Sequence, residues 1–234
     1  MRKPRRLTAE QLAPYMIPLF PLTPGGRGVR GEGETSPGER GTGKEAISWP
    51  ELFGNDNPVE LEVGFGKGLF LVTAGVARPD RNFFGIEIIR KYQLYATTRI
   101  AIRQLPNVKT ACGDAKRILR DHVTPGSVDV VHVYFPDPWW KTRHKKRLLF
   151  TAEFAELVLR TLRPGGQLLF VTDVQDYFEM VTGLLAAVPS FRPLPPPIES
   201  AGATETDYLT NFERKFRKEG RPIYRSAYEK VTEC

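Results

Sequence analysis

Cysteine is almost missing from this chain: Cys112 and Cys234 are the only two in 234 residues. Two cysteines so far apart make neither a disulfide framework nor a zinc cluster, which fits a reducing, cytoplasmic setting. Long apolar runs are missing as well. None approaches the roughly 20 residues that a bilayer-crossing helix needs, so no membrane association is expected. The basic opening "MRKPRR" resembles the start of a secretion signal. The apolar stretch behind it, however, is broken by Pro14, Pro18 and Pro21 and offers no small-residue cleavage site. There is no internal repeat, and the length suits one domain of ordinary to large size with 41% hydrophobic residues to fill a core.

What the chain does have is positive charge. Lys and Arg number 34 against 27 Asp and Glu, for a net charge of +7. Such a balance favours a polyanionic partner but says nothing of fold or reaction. Residues 24–45 hold eight glycines and almost nothing apolar, too little to offset the entropy of ordering, and read as a flexible segment within an N-terminal extension, 1–57. Within it, "GERGTGK" matches part of a phosphate-binding loop. The match fails because Glu45 stands where a magnesium-holding hydroxyl belongs and no strand leads into it.

From Pro58 to the C-terminus, 58–234, short apolar runs alternate with helical patterns, as in an α/β domain built on a parallel sheet. Strands are expected at 59–63, 82–88, 107–112, 128–135 and 167–173. Helical spacing of Phe154, Leu157, Val158 and Leu162 predicts a helix opened by Thr151 and ended by Pro164, Gly165 and Gly166. A further helix is expected at 174–187. Five prolines in 189–197 imply an extended connection. The tail reads as a helix in "YLTNFERKFRKEG" and a late strand in "PIYRSAYEKV".

The first strand runs into "LEVGFGKG". Gly64, Gly66 and Gly68 let the backbone turn sharply and approach a ligand, but their G-x-G-x-G spacing departs from the dinucleotide fingerprint. Glu62 precedes the loop, and Glu87, Asp114 and Asp137 fall at or just past the ends of the next three strands. In a doubly wound sheet those ends face one crevice. Glu87 suits ribose hydroxyls and Asp114 an adenine amine, although Asp114 is equally suited to capping the helix that follows it. Carboxylates would repel a pyrophosphate and welcome a sulfonium and an ammonium, which points to S-adenosylmethionine.

Residues 133–147, "VYFPDPWWKTRHKKR", place Asp137 between two prolines, then two tryptophans, then a basic run. Together with "LEVGFGKG", "GIEI", "CGDA", "TDVQDYF" and "TNFE", this stretch resembles the tRNA (guanine-N7-)-methyltransferase family over roughly residues 58–230. The resemblance implies a Rossmann-like methyltransferase fold: a central, mostly parallel sheet with helices on both faces and a late antiparallel strand. It also implies methylation of a variable-loop guanosine of tRNA by S-adenosylmethionine, with no metal. By the same resemblance Glu62, Glu87, Asp114 and Asp137 hold the cofactor and Asp137 carries the catalytic role. Lys141, Asp173, Thr210, Asn211, Phe212 and Glu213 meet the guanosine, and Arg143, His144, Lys145, Lys146 and Arg147 contact RNA. Three features depart from the family: Leu148 stands where another arginine is frequent, Trp140 where a polar residue is, and the Gly-rich segment 24–45 has no counterpart.

The chemistry asks little of a base. Guanine N7 has an in-plane lone pair and no proton, so the protein must supply in-line positioning and a field that favours a purine becoming positive. Asp137 would provide that field and Asp173 would position the base. Glu213 could accept from the N1–H and exocyclic amine of guanine, or pair with Arg217 one turn on. The basic run could track phosphates or be a solvated face. The tryptophans could stack on a base or wall a pocket. Two other functions fit the loop and the charge: an exocyclic-amine methyltransferase acting on adenine or cytosine, and a non-enzymatic RNA-binding module. The sequence leaves monomer or homodimer undecided.

Overall fold

Runs of apolar residues with both faces buried become the parallel strands at the centre of the sheet. The computed structural model describes residues 7–19, 46–138, 148–196 and 210–231, the side chains of Asn211 and Phe212 excepted. In chain order the elements begin with α1 (Ala9–Leu12), β1 (Met16–Ile17), α2 (Trp49–Phe53), β2 (Val59–Val63), α3 (Leu69–Ala77) and β3 (Asn82–Glu87). There follow α4 (Arg90–Ile102), β4 (Val108–Cys112), α5 (Ala115–Asp121), β5 (Val128–Tyr134) and α6 (Ala152–Thr161). The last are β6 (Leu162–Thr172), α7 (Gln175–Ala186), β7 (Phe191–Leu194), α8 (Asn211–Lys218) and β8 (Tyr224–Lys230).

The sheet order is β1-β4-β3-β2-β5-β6-β8-β7. All pairs from β1 to β6 are parallel, whereas β8 runs antiparallel to both β6 and β7. The order reverses between β2 and β5, which places the topological switch point there. Strand alternation sorts the core into two layers. Leu61, Phe84, Val131 and Phe170 join Ile118, Phe154 and Val181 from α5, α6 and α7. Phe83, Tyr134 and Val171 join Leu71 and Ile100 from α3 and α4 on the other face.

The structure corrects one reading and adds strands in two regions. The helix expected to run to Pro164 stops at Thr161, and the chain is already extended at Leu162, with φ −66° and ψ 138°. Leu162 pairs with Val128, and an irregularity then absorbs Pro164, Gly165 and Gly166 before pairing resumes at Gln167 with Val130. These residues therefore belong to the start of a strand. The proline-rich stretch contains β7 as an edge strand, where Pro193 costs little because an edge needs fewer ladder donors. The N-terminal residues add β1 to the sheet beside β4, and Trp49 and Phe53 enter the core.

One layer is not wholly apolar. Glu60 on β2 is 2% exposed and pairs with Arg78 at 2.6 Å and Arg81 at 3.3 Å. Its other oxygen lies 2.9 Å from His132 Nε2, and His132 Nδ1 lies 2.7 Å from the Tyr134 hydroxyl. An ionised carboxylate only accepts, so Nε2–H donates to Glu60 and Nδ1 accepts from Tyr134. Burial holds the imidazole pKa below 6.5, against the pull of Glu60. Burial also works against the Glu60 carboxylate, but His132 and Arg78 outweigh it and keep Glu60 below its usual range.

A neutral, buried His132 makes stability depend on pH. The folded imidazole is harder to protonate than the unfolded one, so its contribution is complete above pH 6.5 and is lost as pH falls below that value. Urea-unfolding free energies are expected to decline in that direction. His132→Gln is expected to cost about 1–3 kcal/mol at pH 8 and to flatten the decline. An equally steep decline in the variant would rule His132 out as the titrating group.

Candidate active site

The C-terminal ends of β2 and β5 are neighbours, so the loops that leave them share one crevice. The β2 loop is tied back by Gly64 N–H donating to the Ile86 carbonyl at 2.8 Å. Gly64, Gly66 and Gly68 all have positive φ, at 76°, 54° and 65°. A Cβ on Gly68 would sit 2.6 Å from that of Ala96, so this glycine lets α3 and α4 meet; at Gly64 and Gly66 a Cβ would find open space. The room above those two positions is where a ligand can approach the backbone.

Glu87 closes the loop onto β3. Its carboxylate accepts from Gly66 N–H and Ile89 N–H, both at 2.8 Å. Burial raises its pKa, the two N–H groups oppose that rise, and Asp137 adds to it. Glu62 is more exposed to cost and less compensated. It is 2% exposed, and its Oε2 has no hydrogen-bond partner among the described residues. Burial, and then the charge of Glu87, push its pKa well above the usual carboxylate range. Two carboxylates thus share a buried wall with one oxygen unspent, an arrangement suited to a cationic ligand that donates hydrogen bonds.

The β5 loop begins at Phe135, whose φ of 49° lies in the left-handed region. A bulky residue before a proline is doubly disfavoured there, so the surroundings hold it. Its N–H donates to the Val171 carbonyl at 2.8 Å, and its ring lies 5.5 Å from that of Phe216 on α8. Pro136 and the exposed Asp137 follow. Asp137 is close enough for its charge to raise both Glu87 and Tyr177.

The remaining expected residues divide. Asp114 is the N-cap of α5, accepting from Lys116 N–H at 2.8 Å and Arg117 N–H at 3.4 Å, which realises the capping alternative. Asp173 follows β6 and pairs with Arg221. Thr210 caps α8 by accepting from Glu213 N–H at 3.1 Å. Glu213 is 1% exposed and holds Arg217 at 2.9 Å and Arg225 at 2.7 Å, so the ion-pair alternative is also realised and extended by a second arginine. Leu148 packs against the main core, which accounts for an apolar residue there. Trp140, Lys141 and the run Arg143, His144, Lys145, Lys146 and Arg147 lie outside the described residues, as does segment 24–45. The same holds for the side chains of Asn211 and Phe212.

The sequence reading missed Ile88 and Ile89. They follow Glu87 and are 57% and 48% exposed, an apolar shelf beside a carboxylate. The signal was present in "GIEII", where two isoleucines continue past the strand with nothing to bury them.

A family described as "Putative methyltransferase" matches residues 56–226. The 16S rRNA methyltransferase KamB superposes with a TM-score of 0.60 at 15% identity, over 79% of this chain and 93% of that one. The aminoglycoside-resistance methyltransferase NpmB1 gives 0.57 at 20% identity, over 77% and 91%. The fold and the carboxylate-lined glycine loop define a Rossmann-like methyltransferase. A tRNA (guanine-N(7)-)-methyltransferase of Rhodopirellula baltica is 46% identical over 190 residues, 79% of this chain and 70% of that protein. Its counterpart in Geobacter metallireducens is 33% identical over 79% of this chain and 88% of that protein. The chain belongs to the tRNA (guanine-N7-)-methyltransferase family.

The strained acid pair sets a stability cost that can be measured. A carboxylic acid whose folded pKa is raised loses stability as pH climbs from its unfolded value, 4.5, through the folded one. At pH 7.5, Glu62→Gln is therefore expected to stabilise the unliganded protein, with the gain vanishing near pH 4.5. Chemical denaturation at the two pH values tests this, and a variant less stable at both would refute the unpaired-acid reading.

Proposed function

We propose that this chain transfers a methyl group from S-adenosylmethionine to N7 of a guanosine in the variable loop of tRNA. The observation that carries the reading is the buried, unpartnered Oε2 of Glu62 beside Glu87, under the open backbone of Gly64 and Gly66. Bound there, S-adenosylmethionine supplies an electrophilic methyl group on a sulfonium. Glu62 offers its unspent oxygen to the ammonium, Glu87 accepts from the ribose, and Ile88 and Ile89 give the adenine an apolar surface. Asp114 keeps its cap and presents its other oxygen to the adenine amine.

Asp137 acts on the base. Guanine N7 needs no proton removed, so a carboxylate at the loop works through orientation and field, favouring the positive charge that grows on the purine. Phe135 and the flanking prolines hold that charge in place at no cost during the reaction. Asp173 and Arg221 form a fixed pair at the next strand end, positioned to orient the guanosine. Thr210 and Glu213 shape the opposite wall, with Asn211 and Phe212 between them. Lys141 and the run Arg143, His144, Lys145, Lys146 and Arg147 are assigned to guanosine and phosphate contact by family resemblance. The relatives' names lend nothing to an exocyclic-amine target.

Incubating the protein with a tRNA transcript and S-adenosylmethionine should give 7-methylguanosine, read by nucleoside mass spectrometry with fragmentation or by aniline cleavage. Methylation at an exocyclic amine would overturn the proposal. Under saturating conditions, Asp137→Asn is expected to slow single-turnover methyl transfer tenfold or more, about 1.4 kcal/mol, and an unchanged rate would remove Asp137 from the chemistry. Glu213→Gln should narrow the preference for guanosine over inosine at the target position by about threefold, below 1 kcal/mol; if the preference holds, Glu213 serves its arginines alone.

A further inference from the structure

Surface cations in this protein generally have carboxylates for company. Lys116 and Arg120 share Glu153, Arg163 meets Asp129, Arg192 meets Glu229, and Lys215 meets Glu219. Others, among them Lys109, Arg160 and Lys230, donate to backbone carbonyls instead, and one such group stands beside the glycine loop. Arg99 on α4 donates from Nη1 to the carbonyl of Lys67 at 3.0 Å, inside the glycine loop. Arg103, one turn on, donates to the Arg99 carbonyl at 3.4 Å. Lys67 is exposed, Arg103 is exposed and Arg99 is half-buried. Among the described residues no ion pair reaches Lys67, Arg99 or Arg103.

Like charges held close together weaken a fold. The Arg99 guanidinium is disfavoured first by its burial and then by Arg103 and by Arg214 of α8. The hydrogen bond from Arg99 to Lys67 ties α4 to the glycine loop. Residues four apart on a helix stand about 5–6 Å apart at Cβ, so Arg99 and Arg103 present two cationic groups along one line leading away from the loop.

We propose that Lys67, Arg99 and Arg103 form a phosphate-binding site for the tRNA backbone beside the glycine loop. The inference rests on the tRNA-methyltransferase reading and adds to it a second point of contact. Phosphodiesters carry their charge regardless of base, so this site positions the strand without reading sequence.

The test is the salt dependence of binding to a full-length tRNA transcript. Each lost phosphate contact lowers the slope of log K against log salt by about 0.7–0.9. Arg103→Gln, an exposed change, should lower the slope by about that amount, and the Arg99→Gln/Arg103→Gln double variant by more. Arg192→Gln, on the far edge of the sheet, removes the same charge and should leave the slope within error of the wild type. Affinity for S-adenosylhomocysteine should be unchanged in Arg103→Gln. Equal slopes for Arg103→Gln and Arg192→Gln would overturn the site, and a loss of S-adenosylhomocysteine affinity with the slope intact would reassign the cluster to the cofactor's carboxylate. A wild type that binds the transcript with no salt dependence would instead sink the tRNA reading itself.

Discussion

Everything at the active end of this protein depends on two carboxylates held together where water does not reach them. Glu62, one residue short of the end of β2, and Glu87, at the end of β3, lie on adjacent parallel strands; the charge of Glu87 makes Glu62 harder to ionise, and Asp137 does the same to Glu87. Burial of a charge without a partner is among the costliest arrangements a fold can contain. The protein offsets part of it with backbone: Gly66 and Ile89 donate to Glu87. Glu62 receives no such help at Oε2. A fold that tolerates this without a ligand has kept a place for positive charge, which explains why glycines with open space above them stand next to it.

The rest of the sheet supplies the rigidity that such a site needs. Both layers of the core are filled by large buried side chains, so the strand ends cannot drift apart to relieve the repulsion. Glu60, His132 and Tyr134 bridge β2 and β5 below the crevice, and Arg78 and Arg81 close that chain toward solvent. At the top, Phe135 is held in a left-handed conformation by its bond to Val171 and its contact with Phe216. Strain of this kind persists only where neighbours over-determine it. It is spent on the orientation of the loop that carries Asp137.

Much of this was legible in the sequence because parallel strands buried on both faces leave continuous apolar runs. "VELEV" corresponds residue for residue to β2, and the next three strands differ by one residue at an end. Carboxylates placed just past such runs could then be assigned to one crevice. What escaped depends on partners distant in sequence. β1 is two residues long and is a strand only because β4 lies beside it. β7 carries a proline and exists because β8 offers an edge. The Glu60–His132 contact spans 72 positions, and no local pattern announces it. Pro164, Gly165 and Gly166 looked like a helix terminator because that is their usual meaning; here the pairing of Leu162 with Val128 ends the helix earlier.

Glu213 shows how a single carboxylate can satisfy two demands that seem exclusive. Its pairing with Arg217 and Arg225 answers why it can be buried at all, since alone it would meet the same cost as Glu62. A carboxylate fixed by two guanidinium groups is also pre-oriented. Arg225 sits on β8, the antiparallel strand paired with β6, and Thr210 caps the helix on which Glu213 rides. The late strand thus does more than complete the sheet: it carries an arginine that fixes the buried Glu213. The Glu62 wall facing a cationic ligand has an open valence, while the Glu213 wall is saturated with positive charge. That asymmetry fits a reaction in which one partner arrives as a cation and the other arrives as part of a polyanion.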